Sequence, residues 1–127
     1  MIDHIDHVVL TTRDLASCLN FYSVLGMKME KFQTPSETRI ALKFGDQKIN
    51  VHEWGKEFTP RAHVAAPGTL DLCFIASVSL EEVIAKLKGA NIPILDGPVM
   101  KTGARGPIRS VYVRDPDLNL VEISVAA

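Results

Sequence analysis

The same order of secondary-structure elements can be read twice along this chain, and this repeat restricts the fold more than any other feature. Each copy reads as a strand, a helix and three further strands. The first copy covers about residues 1–56 and the second about residues 68–127, with a proline-containing linker at 57–67. A repeat of about 60 residues is too long for a solenoid unit. The sequence therefore predicts a duplicated half-domain within a single domain, 1–127.

Each copy opens with a strand and an amphipathic helix. Residues 4–12 and 69–77 suit the two strands, Asp14 is expected to cap the first helix, and a capping box of Ser79 and Glu82 opens the second. Gly26 and Gly89 are expected to end the helices. The apolar stripes that should be buried are Leu15, Cys18, Leu19, Tyr22 and Leu25 in the first helix and Leu80, Val83, Ile84 and Leu87 in the second.

Three short strands are expected after each helix, at 28–34, 39–44 and 47–54 and again at 92–95, 108–114 and 119–125. Gly45-Asp46 and Asp115-Pro116-Asp117 are typical of tight turns between strands. Such strands are mostly antiparallel, with helices packed on one face. The predicted fold class is α+β, with two βαβββ modules forming a curved, mostly antiparallel sheet around a concave site.

Composition narrows the range of functions. The 14 basic and 15 acidic residues nearly cancel and no long basic run occurs, so nucleic acid and anionic membranes are not expected as partners. No apolar stretch is long enough for a membrane span, and the N-terminus does not resemble a signal peptide. Cys18 and Cys73 lie among apolar residues, which predicts two buried thiols in a reducing cytoplasm.

Several polar side chains interrupt the apolar pattern of the strands. In the fourth strand Asn50 and His52 point to the same face, away from the apolar residues, and Glu122 does the same in the last strand. Asp71 stands alone in an apolar run, where an unpaired buried carboxylate would cost several kcal/mol. His7 lies near the start of the first strand.

A pseudo-two-fold relation between the modules would match His7 with Asp71, and Asn50 or His52 with Glu122. Imidazole and carboxylates on neighbouring strands suit Mn²⁺, Fe²⁺, Ni²⁺ or Zn²⁺. A divalent metal ion would also explain two carboxylates in one cavity. Taken singly, each residue has a structural alternative: Asp71 as a buried acid with backbone donors, His7 as a packed histidine, and Glu122 as a rim charge.

Three segments carry a resemblance to a known superfamily: Asp6-His7-Val8-Val9-Leu10, the helix end at 21–27, and the segment 115–122. They resemble the vicinal oxygen chelate superfamily, which includes glyoxalase I, fosfomycin-resistance thiol transferases, bleomycin-resistance proteins and extradiol dioxygenases. Residues 45–53 and 102–108 look closer still to glyoxalase-domain-containing protein 5 and to bacterial proteins related to biphenyl-2,3-diol 1,2-dioxygenase III.

The resemblance implies paired βαβββ modules and a metal ion bound by residues of their first and last strands. It implies His7, His52, Asp71 and Glu122 as ligands, with Asn50 competing with His52 for the fourth place. Asp71 falls where many members have a second histidine, which argues against dioxygenase chemistry. Members with two modules usually pair, so a homodimer is expected.

The expected function is that of a metal-dependent lyase or isomerase of glyoxalase type, acting on a small substrate with vicinal oxygens. In this function the ion acts as a Lewis acid and Glu122 is the candidate base. Asn50, Arg105 and Tyr112 are candidate substrate contacts, and Lys101 is a further cation near the same loop. The alternatives are a non-catalytic protein that sequesters a drug, as bleomycin-resistance proteins do, and an extradiol dioxygenase or thiol transferase.

Overall fold

The computed structural model describes all of residues 1–127, and it confirms the order strand, helix, three strands in two copies. The chain divides into two compact units, Met1–Thr69 and Leu70–Ala127. The elements of the first unit are β1 (His7–Thr12), α1 (Leu15–Val24), β2 (Lys28–Gln33), β3 (Thr38–Phe44) and β4 (Gln47–Glu53). Those of the second unit are β5 (Asp71–Ile75), α2 (Leu80–Gly89), β6 (Asp96–Gly103), β7 (Gly106–Arg114) and β8 (Leu120–Ala126).

The sheet of the first unit has the strand order β1-β4-β3-β2. β1 pairs with β4 in parallel, and the other two pairs are antiparallel. The expected two-residue turn at Gly45-Asp46 joins β3 and β4, and Gly45 has the positive φ (+53°) that such a turn requires. One face of this sheet is apolar and buried, with Leu10, Leu42, Ile49 and Val51.

The second unit repeats this arrangement with the order β5-β8-β7-β6, again with one parallel pair, β5 and β8. The apolar face of its sheet carries Val111, Val113, Val121 and Ile123, which are all buried. Helix α2 contacts β7 and β8. In each unit we call the opposite, more polar face of the sheet the open face. The predicted α+β fold of two βαβββ modules, built from mostly antiparallel strands, is confirmed.

The helix starts agree with the predictions from the sequence. The helix ends and the buried residues of α1 agree with them less closely. Asp14 accepts a hydrogen bond from the Ser17 N–H, and Ser79 accepts one from the Glu82 N–H, so both N-caps are confirmed. Helix α1 buries Phe21, which the predicted stripe omitted, while Leu15, Leu19 and Leu25 are not fully buried. Helix α2 ends at Gly89, and the positive φ that follows belongs to Asn91 (+57°).

The predicted strand at 92–95 is wrong, because β6 runs from Asp96 to Gly103 instead. Gly97 and Pro98 are typical of a loop, but Gly97 has a φ of +99° and lies against the backbone of β7. Its missing side chain leaves room for that close approach, since a Cβ there would lie 2.4 Å from the Ser110 carbonyl oxygen.

The cysteines correct one further expectation. Both are free thiols, and Cys18 is buried as predicted, but Cys73 is exposed on the open face of the second unit. Alternation along β5 explains the difference, because Cys73 faces away from the side on which Leu72 and Phe74 lie.

No helix combines the length and the apolar character that crossing a membrane would need.

Candidate functional site

The open face of the second unit carries a cavity of about 450 Å³. It lies over parts of β5, β6, β7 and β8. The lining residues are Cys73, Ile75, Lys101, Thr102, Gly103, Ala104, Ile108, Tyr112 and Glu122. Only Lys101 and Glu122 among them carry a full charge at neutral pH, and the two have opposite signs. A cavity of this size suits a small organic molecule.

Strand register places Glu122 in the middle of this face. It lies on β8 directly opposite Tyr112 of β7 on one side and Cys73 of β5 on the other. Directly opposite residues share a face and stand close together. The alternation predicted for the last strand therefore directs Glu122 to the open face, where its side chain is half-buried.

Hydroxyl groups hold the Glu122 carboxylate. Ser110 Oγ donates to Glu122 Oε2 at 2.6 Å, and Ser124 Oγ lies 3.4 Å from the same oxygen. Ser110 and Ser124 are also 2.7 Å apart. The Tyr112 side chain lies near the carboxylate as well. Neither serine was predicted from the sequence, although Ser110 faces the same side of its strand as Tyr112, and Ser124 the same side as Glu122.

The electrostatics of the cavity keep Tyr112 and Cys73 protonated. Partial burial is the larger cause that raises the pKa of Tyr112, followed by its hydrogen bond to the Glu122 carboxylate. Burial likewise raises the pKa of the Cys73 thiol, and the nearby Glu122 carboxylate adds to the effect. The Lys101 ammonium lies 5.7 Å from the centre of the Tyr112 ring. The cavity thus offers two neutral donors and one cation beside one carboxylate.

The surroundings of Asp71 and Arg105 differ from those predicted from the sequence. Asp71 is exposed at the first position of β5, so the cost of a buried carboxylate does not arise. It points to the open face, two residues before Cys73, and is a diagonal neighbour of Glu122. Arg105 is exposed in the two-residue turn between β6 and β7 and does not line the cavity, whereas Tyr112 and Lys101 do.

In the first unit, His7 lies at the start of β1 and is directly opposite Lys48 of β4. Its side chain is 41% exposed, and its Nδ1 lies 2.8 Å from the Asp6 carboxylate. A carboxylate on Nδ1 leaves Nε2 available and fixes the ring, which is the usual arrangement of metal-binding histidines. His7 is therefore suited to bind a cation through Nε2.

Asn50 and His52 share the open face of the first unit but have different surroundings. His52 is buried and packs edge-on against Phe58 of the 54–70 loop, at 5.0 Å between ring centres. Burial lowers the pKa of His52, and the nearby Arg39 guanidinium lowers it further. Asn50 is also buried, and its Oδ1 has no hydrogen-bond partner.

Register decides between Asn50 and His52 as the counterpart of Glu122. Asn50 is opposite Val9, two residues after His7, just as Glu122 is opposite Cys73, two residues after Asp71. His52 is opposite Thr11, four residues from His7, which is about 13 Å along the strand. Side chains that stand upright on a sheet do not share an ion over that distance.

The structure thus places two candidate donors together in each unit. His7 and Asn50 are diagonal neighbours in the first unit, and Asp71 and Glu122 in the second. Neither unit gathers three His, Cys, Asp or Glu side chains in an arrangement that could hold a metal ion. The donor types suit a divalent ion, since the first unit offers an imidazole with an available Nε2 and the second unit offers two carboxylates.

A hydrogen-bonded turn fixes the strands that carry Asp71 and Glu122. Asp115 accepts from the backbone N–H groups of Asp117 and Asn119 through Oδ1, at 2.9 and 3.0 Å. Its Oδ2 accepts from Asn119 Nδ2 at 2.8 Å. Asn119 Oδ1 in turn accepts from the Leu70 N–H at 2.9 Å. Leu70 and Asn119 directly precede β5 and β8, so this turn sets the register between them.

Known proteins match this chain in both sequence and structure. A family model described as "Glyoxalase/Bleomycin resistance protein/Dioxygenase superfamily" matches residues 4–123. The virulence protein STM3117 of Salmonella typhimurium is 48% identical over 125 residues, which are 98% of this chain and 85% of that protein. The crystal structure of STM3117 is similar with a TM-score of 0.94, at 47% identity, over 100% of this chain and 99% of that chain.

Other relatives extend the comparison. The glyoxalase domain-containing protein RDO1 of Mycosarcoma maydis is 48% identical over 120 residues, which are 94% of this chain and 66% of that protein. Two more distant structures share the fold alone. They are a lactoylglutathione lyase from Agrobacterium tumefaciens (24% identity, TM-score 0.72, 98% and 95% coverage) and the antibiotic binding protein TnmS3 from Streptomyces sp. CB03234 (18%, 0.75, 99% and 98%).

Proposed function

Because this chain belongs to the glyoxalase/bleomycin resistance protein/dioxygenase superfamily, we propose that it is a metal-dependent lyase or isomerase of glyoxalase type. Its substrate would be a small molecule with two neighbouring oxygen atoms, such as the adduct of an α-oxoaldehyde with a thiol. The observation that carries this proposal is the Glu122 carboxylate, which lines the cavity of the second unit while buried serines hold one of its oxygens.

As metal ligands we propose Asp71 and Glu122 in the second unit and His7 in the first. The free Nε2 of His7 and the exposed carboxylate of Asp71 support this assignment, and Asn50 is the better placed candidate for a fourth ligand than His52. When bound, a divalent ion supplies Lewis-acid stabilisation of negative charge on the substrate oxygens.

The chain's own residues would bind, orient and deprotonate the substrate. Glu122 is the base that takes a proton from the carbon next to a carbonyl group. The Tyr112 hydroxyl is kept protonated and can donate a hydrogen bond to a substrate oxygen. Lys101 attracts an anionic group of the substrate, and Ile75 and Ile108 provide the apolar part of the cavity wall.

The test is turnover of the hemithioacetal of methylglyoxal and glutathione by purified protein loaded with Mn²⁺, Fe²⁺, Ni²⁺ or Zn²⁺. We expect activity with at least one ion, abolished by a chelator and restored by the metal. Glu122→Gln should lower kcat by about 10²–10⁴-fold, as expected for a lost general base, while the exposed control Glu53→Gln should keep full activity. Absence of turnover with all four ions would refute the lyase assignment.

A non-catalytic role in sequestering a small molecule is the second candidate function. The observation that favours it is a cavity of drug-binding size in a unit that does not gather three metal ligands. The antibiotic binding protein TnmS3 shares the fold, which makes such a role compatible with this architecture. Tight ligand binding that neither a chelator nor added metal alters would favour this function over catalysis.

We also propose that the protein is a homodimer located in the cytoplasm. Large apolar side chains remain exposed on single chains, among them Ile75, Leu95, Met100 and Leu118, and a second copy could cover such surface. Light scattering coupled to size-exclusion chromatography should give twice the mass of one chain. The mass of a single chain would refute the dimer.

A further inference from the structure

Two serines lie next to Glu122 without lining the cavity. Ser110 of β7 and Ser124 of β8 are directly opposite each other, and both are 0% exposed. The residues around the cavity include Glu122 but neither serine. The two hydroxyls can therefore affect a bound molecule only through the cavity residues that they contact, which are Glu122 and Cys73.

A series of side-chain hydrogen bonds ends on one oxygen of the Glu122 carboxylate. Ser110 Oγ donates to Glu122 Oε2 at 2.6 Å, and the Ser110 and Ser124 hydroxyls are 2.7 Å apart. Cys73 Sγ lies 3.5 Å from Ser124 Oγ at the other end. The longer contact from Ser124, at 3.4 Å, also reaches Oε2. Neither serine contacts Oε1.

The number of available protons fixes which group donates in each of these hydrogen bonds. An ionised carboxylate only accepts, so Ser110 must give its single hydroxyl proton to Glu122. The short contact between the serines then requires the proton of Ser124, which points toward Ser110. Cys73 is the group left to donate to Ser124, through its S–H. All three protons point toward Oε2, and aligned hydrogen bonds to a charged group strengthen one another.

We propose that Ser110 and Ser124 are positioning residues that select which oxygen of Glu122 meets the substrate. This inference rests on the proposed function, in which Glu122 acts in the cavity. The serines hold Oε2 against the sheet and leave Oε1 as the oxygen available to the cavity, where Glu122 would act. Without them a glutamate side chain, which has three rotatable bonds, would exchange its two oxygens and lose its fixed orientation.

The proposal is tested first by kinetics. Ser110→Ala should lower kcat for the methylglyoxal–glutathione hemithioacetal about tenfold and change KM less than about twofold, as expected for a group that orients a reacting residue. Ser124→Ala keeps the 2.6 Å contact and should lower kcat only about two- to threefold. The control is Ser79→Ala, which removes the cap of α2 and lowers stability without touching Glu122.

A second measurement does not depend on turnover. In protein labelled with [δ-¹³C]glutamate and free of added metal, the Glu122 carboxyl resonance is assigned by its absence in Glu122→Gln. Ser110→Ala should shift or broaden this resonance, Ser124→Ala should shift it less, and Ser79→Ala should leave it unchanged. If Ser110→Ala does not fold, the smaller shift of the Glu122 carboxyl resonance in Ser124→Ala tests the proposal instead.

The outcomes separate this inference from the proposed function. An unchanged carboxyl resonance in a folded Ser110→Ala variant would overturn the positioning role, whether or not the wild-type protein is active. A loss of kcat no larger than that of Ser79→Ala would overturn it as well. If the wild-type protein turns over no substrate but the resonance shifts as expected, the proposed function fails and the positioning of Glu122 stands.

Discussion

Replacing Asn119 by alanine should lower the free energy of unfolding by about 3 kcal/mol, because the buried carboxamide makes two hydrogen bonds that join β5 to the turn before β8. Asn119 is 1% exposed. Its Oδ1 accepts from the Leu70 N–H, and its Nδ2 donates to Asp115 Oδ2. A buried neutral hydrogen bond contributes about 1 kcal/mol, and one to a charged group about 1.5–3 kcal/mol. The sum for both is therefore about 2.5–4 kcal/mol.

Equilibrium unfolding in urea, followed by far-UV circular dichroism, measures this loss. The matched control is Asn20→Ala, at an exposed position of α1 where alanine is the better helix former, and its stability should change by less than about 0.5 kcal/mol. A loss below about 1 kcal/mol for Asn119→Ala would refute the reasoning, since it would mean that the Leu70 N–H and Asp115 find other partners.

Two further predictions follow from the surroundings of His52 and Gly97. Because burial lowers the pKa of His52 in the folded state, the neutral ring stabilises the fold above the unfolded pKa of about 6.5, and this contribution is lost as the pH falls through the folded pKa. Urea unfolding between pH 7.5 and 5 should thus show that His52→Gln loses less stability on acidification than wild type does. The exposed control His63→Gln should match wild type. An equal dependence of the free energy of unfolding on pH in all three proteins would contradict the assignment. Gly97→Ala should destabilise the second unit by more than about 1 kcal/mol, because φ is +99° and a Cβ would lie 2.4 Å from the Ser110 carbonyl oxygen. A thermal midpoint within 1 °C of wild type, roughly the measurement error, would contradict this.

Much of the fold follows from local sequence. The caps at Asp14 and Ser79 and the turn at Gly45-Asp46 depend on residues that lie within three positions of one another, and all three were predicted. The alternation that directs Glu122 to the open face is equally local. The beginning of β6 is not, because Gly97 there is explained by its closeness to Ser110 in another strand.

Assembly of the candidate site was less predictable. The sequence selected Glu122 and Tyr112, and the structure brings them together with Cys73 and Lys101 around one cavity. Cys73 was expected to be buried, and neither Ser110 nor Ser124 was predicted from the sequence. These side chains are small and have no distinguishing local pattern, so only their contacts across strands reveal a role.

Local sequence patterns suffice to predict two βαβββ modules in this chain, because the strand period, the helix period and the capping residues act over a few neighbouring positions. The residues of different strands that are opposite one another are known only from the folded structure. That register pairs Asn50 rather than His52 with the position of Glu122, exposes Asp71, and places two buried serines against one carboxylate oxygen. Register depends on backbone hydrogen bonds between strands that are far apart in the sequence, such as β5 and β8, and no local pattern encodes such pairing.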